Sequence, residues 1–318
     1  MALELRVRSI SKPTPRVRAI ELVSADGSPL PPFTAGAHLD FELGNGEGRS
    51  YSLCNDPAER DRYVVAVLRE AESRGGSAWM HESLNEGDVL TSSEPINHFP
   101  LNENGEYHLL IAGGIGITPM LAMARRLAAR GLPFHLHYCA RTREDAAFLE
   151  EIEATFGERA TVHLDGGDPS VGLNIRGLLE KRPPGGHVYV CGPAGMIRAV
   201  REAAAGWPKG TVHYELFKGS AEDTAPRSTD AGFEVITAKT GKTLHVAPGE
   251  TILDVLKAAG IRVKTMCKDG VCGTCRVGLI SGDVDHRDEV LTDEEQKRFI
   301  QVCVSRAKPG EKTLVLDL

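Results

Sequence analysis

The sequence predicts a multidomain fold: an antiparallel β-barrel, then an α/β unit with a parallel sheet, then a small α+β unit. Three observations predict it. Short alternating apolar and polar runs, parted by turn residues, fill residues 1 to about 100. Strand and helix patterns then alternate from about 106 to 218. Beyond a small, polar, proline-bearing stretch at 219–231, a hairpin and a helix lead into a loop with three closely spaced cysteines.

In the first module the runs are Leu5–Ile10, Arg16–Leu22, His38–Leu43 and Tyr63–Val67. Asp26-Gly27-Ser28 and Gly44-Asn45-Gly46 supply turns between them. Evenly spaced short strands of this kind close into barrels. One helix, near Gly76–Ser83, interrupts them.

The second module reads as strands at Tyr107–Ala112, Phe134–Cys139, Ala160–Leu164 and His187–Cys191. Helices fit Pro119–Arg130, Asp145–Phe156, Ile175–Lys181 and Ala194–Ala205. The alternation implies a parallel sheet covered on both faces, with ligands at the C-terminal ends of its strands. The third module opens with a hairpin, Phe233–Thr237 and Thr243–Val246 around Thr240-Gly241-Lys242, followed by a helix from Glu250 or Thr251 to Ala259.

The cysteines of that module read Cys267-x4-Cys272-x2-Cys275, with Cys303 far downstream. This is the ligand spacing of a plant-type [2Fe–2S] cluster. Gly270 and Gly273 let the loop wrap closely and bring N–H groups to the sulfurs. A structural zinc site is the competing reading, but zinc sites usually pair hooks of similar size. Seven cysteines is an odd number for a disulfide framework. Cys54, Cys139 and Cys191 lie far apart and by default read as buried apolar residues.

The chain has 318 residues, 41% of them hydrophobic and 25% charged, with a net charge of −7. It lacks the basic footprint of a nucleic-acid binder. Its most apolar stretch, Leu109–Ala124, holds three glycines and a proline and is too short to span a bilayer. The first residues lack the apolar core of a signal peptide. Free thiols and no export signal point to the cytoplasm.

Four segments add binding chemistry. Ala112-Gly113-Gly114-Ile115-Gly116-Ile117-Thr118-Pro119 turns a strand into a helix, where glycines admit a pyrophosphate and the helix start offers free N–H groups. Cys191-Gly192-Pro193 opens a second strand-to-helix crevice. Arg49-Ser50-Tyr51-Ser52 offers a guanidinium, a ring and hydroxyls. Arg74-Gly75-Gly76-Ser77 precedes the barrel's helix and suits an anion. Each of the last two alone is an ordinary surface feature. Together they describe a mononucleotide with a flat ring at one end and a phosphate at the other.

In chain order, the segments RSYSLCND (49–56), RGGS (74–77), AGGIGITPML (112–121), VYVCGPAGM (188–196), HYELF (213–217), CKDGVCGTC (267–275), DHRDEVL (285–291) and QVCVSRA (301–307) give the chain a family likeness. It resembles the phthalate dioxygenase reductase family, the FMN and [2Fe–2S] reductase components of two-component Rieske oxygenases, with vanillate demethylase reductase among them. The resemblance implies an FMN-binding barrel at 1–102, an NAD(H)-binding domain at 103–222, a linker at 223–231 and a β-grasp ferredoxin domain at 232–318.

It also implies roles. Arg49, Ser50, Tyr51 and Ser52 hold the flavin, and Gly75, Gly76 and Ser77 its phosphate. Gly114 and Thr118 meet the dinucleotide, and Cys191, Gly192 and Pro193 border the nicotinamide. Phe217 shields the flavin ring, and Cys267, Cys272, Cys275 and Cys303 ligate the cluster. Ser52, Thr118 and Cys191 lie near hydride transfer, and no side chain is assigned as a catalytic acid or base. Where the family's phthalate member has a lysine after the barrel strand, this chain has Leu68, followed by Arg69.

The implied activity passes electrons from NADH through FMN and the cluster to a terminal oxygenase acting on an aromatic compound. Two alternatives stand beside it. The acceptor can be a different oxygenase, for example a diiron enzyme, or the chain can be a redox-sensing or zinc-stabilised binding protein. The acidic run Asp283–Glu295 reads as a solvated turn and helix start capped by Thr292, with partner docking as its other reading.

Overall fold

The computed structural model describes residues 2–71, 75–217 and 230–318. Arg74 and most of the expected linker lie outside them. The chain divides into two compact units, Met1–Glu215 and Leu216–Leu318.

The first unit begins with strands β1 (Ala2–Thr14), β2 (Val17–Ser24), β3 (His38–Glu42), β4 (Gly48–Ser52), β5 (Tyr63–Leu68) and β6 (Val89–Ser93), with helix α1 (Gly76–Glu82) before β6. They form a six-stranded sheet in the order β4-β3-β6-β1-β2-β5, and every pairing is antiparallel. A bridge from Leu53 to Val65 joins the two ends, so the sheet closes as the alternating runs predict. Alternation also sets the core: Leu5 and Val7 point inward while Arg6 and Arg8 are exposed. Leu22, Leu39, Phe41, Leu53 and Tyr63 fill the interior.

The second layer of this unit has strands β7 (Tyr107–Gly113), β8 (Phe134–Ala140), β9 (Ala160–Leu164), β10 (Gly186–Cys191) and β11 (Val212–Glu215). They run parallel in the order β11-β10-β7-β8-β9. Helices α2 (Ile117–Ala129), α3 (Leu149–Phe156), α4 (Ile175–Leu179) and α5 (Ala194–Ala203) connect them. The central strand β7 is buried from His108 to Gly113 because both of its faces are covered. Helix α3 starts four residues later than the pattern suggests, because Phe148 before it is left-handed, with φ 63°. The four-residue strand β11 is absent from the sequence reading, although it lies within the HYELF segment.

The second unit holds β12 (Phe233–Thr237), β13 (Lys242–Val246), β14 (Arg276–Ser281), β15 (Val284–Asp285), β16 (Phe299–Gln301), β17 (Arg306–Ala307) and β18 (Thr313–Leu316). Among the described residues, two helices, α6 (Ile252–Ala258) and α7 (Asp293–Gln296), accompany them. The main sheet has the order β13-β12-β18-β14-β16, with β12 and β18 parallel. Thr251 caps α6 through its hydroxyl, and Ile252 and Leu256 are buried against the core that includes Cys275 and Cys303. Thr292 caps α7 in a reciprocal capping box with Glu295.

Among the described residues, no helix is long and apolar enough to cross a membrane.

Candidate redox-cofactor sites

Strand β4 and the start of α1 bring the first constellation together. A Cβ added at Gly76 would stand 2.3 Å from the Arg49 Nε atom, so a larger residue there would displace the Arg49 side chain. Arg49 Nη1 also donates to Glu47 at 2.9 Å and to the Gly48 carbonyl at 2.6 Å. Gly75 precedes α1 at φ 104°, and no side chain caps the helix. Ser77 is buried, and its hydroxyl accepts the Glu70 N–H at 3.2 Å. Ser50 donates to Asp40 at 2.5 Å. The Tyr51 hydroxyl is buried without a hydrogen-bond partner, and burial pushes its pKa well up. An aromatic ring, an orphaned hydroxyl and a guanidinium against an uncapped glycine turn fit a flavin mononucleotide.

The second constellation lies at the C-terminal ends of β7, β10 and β11, where a doubly covered parallel sheet binds ligands. A Cβ at Gly116 would stand 2.2 Å from the Cys191 carbonyl oxygen, and one at Gly113 would stand 2.7 Å from Pro193 Cδ. Glycine is therefore required where the two turns meet. Gly192 likewise packs 3.0 Å from the Gly113 backbone. Gly114, at φ 54°, has open space beside it. Thr118 Oγ donates to the Ile115 carbonyl at 3.0 Å and tightens the first turn of α2. These backbone crevices fit a dinucleotide.

Cys191 pairs in register with Ala112 on one side and Glu215 on the other. It is fully buried, and desolvation raises its thiol pKa well above the ordinary range. Ser52 reaches from the barrel to Glu215, Oγ to Oε2, at 3.5 Å. Desolvation pushes the half-buried Glu215 carboxyl up to about 8, against the hydrogen bond from Ser52. Glu215, which the sequence reading does not single out, is brought to this crevice by β11. The available signal was a carboxylate between Tyr214 and Leu216 at the end of a strand.

Arg69, beside the lysine-less position Leu68, donates to Glu82 at 2.8 Å and to the Glu70 carbonyl at 2.7 Å, so its fork is engaged. His213 stacks on Tyr189 at 4.4 Å and shares a 3.0 Å hydrogen bond with His187. Burial lowers its pKa to about 4, as suits a structural histidine. Cys54 and Cys139 are buried thiols, raised to about 12 by desolvation. Phe217 is exposed near the start of the second unit.

In the second unit all four remaining cysteines are buried. The sulfurs of Cys267 and Cys272 are hydrogen-bond neighbours, and so are those of Cys275 and Cys303. The hydrogen bond from Cys267 lowers the Cys272 thiol below its ordinary range. Among the described residues no group of three or more His, Cys, Asp or Glu is arranged to hold one metal ion. Two neighbouring pairs instead fit two irons with two thiolates each. Gly270 (φ 73°) and Gly273 (φ 76°) turn the loop, and Asp269 N–H points at the Cys267 sulfur at 3.3 Å. Lys268 holds φ 61°, a strained conformation costing on the order of 1–3 kcal/mol for a non-glycine residue. Gln301, fully buried, accepts a hydrogen bond from the Cys275 Sγ at its Oε1, 3.0 Å away.

Behind the loop lies a buried charge cluster. Arg287 grips both carboxylate oxygens of Asp230 and donates to Asp285 at 2.8 Å. Arg306 donates to the carbonyls of Ala231, Ala247 and Glu250. Asp230 and Ala231, placed in the linker by the sequence reading, are thus bonded into this unit. Ser305 and Asp288 continue the network, and Glu289 N–H donates to Gly270 in the cysteine loop at 3.1 Å.

Comparison with known proteins identifies the modules that carry these residues. Residues 236–308 match the model of the 2Fe-2S iron-sulfur cluster binding domain, and residues 110–165 that of the oxidoreductase NAD-binding domain. The chain is 45% identical over 326 residues to the tert-butanol monooxygenase / tert-amyl alcohol desaturase reductase subunit of Aquincola tertiaricarbonis, covering 100% of this chain and 96% of that protein. It is 44% identical over 318 residues to phthalate dioxygenase reductase of Burkholderia cepacia, covering 99% and 97%. A solved structure of phthalate dioxygenase reductase, described as modular for electron transfer from pyridine nucleotides to [2Fe–2S], superposes with a TM-score of 0.78 at 42% identity, covering 100% of this chain and 98% of that one. With such likeness over its whole length, the chain belongs to the phthalate dioxygenase reductase family of FMN and [2Fe–2S] reductases.

Proposed function

We propose that this protein is the reductase component of a two-component Rieske-type oxygenase or demethylase, oxidising NADH and delivering single electrons to its oxygenase. The observation that carries this reading is the pair of sites on one chain: a flavin and dinucleotide crevice at the strand ends, and two cysteine pairs in a glycine-turned loop. FMN held in the crevice would supply the chemistry that turns a hydride from NADH into single electrons, and a [2Fe–2S] cluster held by the four cysteines would supply one-electron transfer.

The chain's own residues act by placement. Arg49, with Gly75, Gly76 and Ser77, holds the mononucleotide phosphate, while Ser50, Tyr51 and Ser52 line its ring. Gly114 and Thr118 position the dinucleotide, and Cys191, Gly192 and Pro193 border the nicotinamide. Phe217 shields the flavin ring. Glu215, whose carboxyl desolvation raises to about 8, accepts a hydrogen bond from the Ser52 hydroxyl and orients it. Cys267 and Cys272 ligate one iron, and Cys275 and Cys303 the other. The division into 1–102, 103–222, 223–231 and 232–318 assigns one task to each module.

The test is anaerobic reduction of the purified protein. NADH bleaches both the yellow flavin absorption and the brown iron–sulfur absorption, and bound iron and sulfide are found two to two, about one cluster per chain. A colourless preparation carrying zinc contradicts the reading.

A further inference from the structure

The cluster module gives most of its carboxylates internal partners and leaves a group of cations without any. From Lys257 to Arg276 the sequence has five basic residues, Lys257, Arg262, Lys264, Lys268 and Arg276, against one acidic residue, Asp269. This contrasts with a whole-chain charge of −7. The acidic run Asp283–Glu295 looks like its counterweight, but much of that charge is consumed. Asp285 pairs with Arg287 at 2.8 Å, and Asp288 accepts the Leu291 N–H at 2.9 Å. Glu294 pairs with Lys297 at 2.8 Å, and Glu295 caps α7 and takes Arg276 at 3.1 Å.

The cations entering the cysteine loop have no such fate. Ile261 and Val263 pack on the module's core. The intervening Arg262 and Lys264 are exposed, as alternation along an extended segment requires. Neither makes an ion pair or side-chain hydrogen bond with the described residues, and neither does exposed Lys257. Lys264 lies three residues from Cys267, within about 11 Å along the chain. Lys268, Asp269 and Glu289 beside the loop are already engaged.

We infer that Arg262 and Lys264, supported by Lys257, form the docking surface through which the reduced cluster meets an acidic face of its electron-accepting protein. The inference rests on the reductase reading above. Unpaired cations beside an electron exit steer an acidic partner and speed encounter, with little effect on reactions elsewhere in the chain.

The experiment uses the holoenzyme with NADH and two protein acceptors of opposite charge, acidic cytochrome b5 and basic cytochrome c. Only the rate abolished by Cys272→Ser is counted. The Arg262→Glu/Lys264→Glu variant should reduce cytochrome b5 at least about fivefold more slowly at low salt. Its cytochrome c rate should hold or rise, and NADH–ferricyanide turnover should be unchanged. Lys312→Glu, a charge reversal outside this segment, should leave cytochrome b5 reduction unaltered. For the parent protein, cytochrome b5 reduction should slow as salt rises from about 20 to about 300 mM.

An unaltered cytochrome b5 rate in the double variant overturns the inference, as does an equal fall with both cytochromes or with Lys312→Glu. If the double variant loses its cluster, the parent's salt dependence decides, and a rate that is flat or rises with salt overturns the proposal. If Cys272→Ser reduces both cytochromes as fast as the parent, the reductase reading itself fails instead.

Discussion

Glu215 shows how one residue's environment decides its chemistry. Its carboxyl ordinarily titrates at 4.5 and is pushed up to about 8 by desolvation beside Cys191 and Ser52. A raised carboxylate pKa means that the folded state binds the proton more tightly. Its stabilising contribution is therefore complete below the ordinary value and is lost as pH rises toward about 8. Glu215→Gln should remove that slope, making stability in urea less dependent on pH across this window than in the parent. Equal slopes for the two proteins would show that the carboxyl ionises normally. The residue escaped the sequence reading because its principal partner, Ser52, is 163 residues away, and no local spacing records the pairing. The cluster ligands were legible because thiolate ligation is written directly into cysteine spacing.

At the scale of elements, glycine turns and caps decide how strands deliver the sites. Gly116 lets the first turn of α2 approach β10, and an added Cβ would overlap the Cys191 carbonyl at 2.2 Å. Gly116→Ala should cost about 1–3 kcal/mol through overpacking and raise the NADH concentration needed for half-maximal flavin reduction. Urea unfolding and stopped-flow reduction measure the two effects. Thr292→Ala removes one half of the capping box and should cost about 1 kcal/mol of ferredoxin-module stability, read from thermal loss of cluster absorption. Strands with strong alternation, such as β1 and β2, were legible to within a few residues. Short β11 was not, because its residues are all half-buried and show no clear alternation. The start of α3 was displaced by the left-handed Phe148, a backbone choice that helical periodicity does not encode.

At the scale of the molecule, each compact unit secures its own chemistry. In the second unit the Arg287–Asp230 pair is buried, with side chains 4% and 6% exposed. Asp230→Asn would leave Arg287 and Arg306 short of countercharge, so it should destabilise the unit by about 3–5 kcal/mol, seen as earlier loss of the cluster in urea. The DHRDEVL segment thus supports the cysteine loop from behind, although its acidity alone reads as surface. The central claim is that electrons entering at the flavin crevice reach the partner protein through the two cysteine pairs. Cys272→Ser tests it most directly, with NADH oxidation and transfer to a protein acceptor followed together under anaerobic conditions. The account predicts flavin bleaching by NADH at the parent rate while transfer to the acceptor falls by at least about a hundredfold. Undiminished transfer by the variant would contradict it.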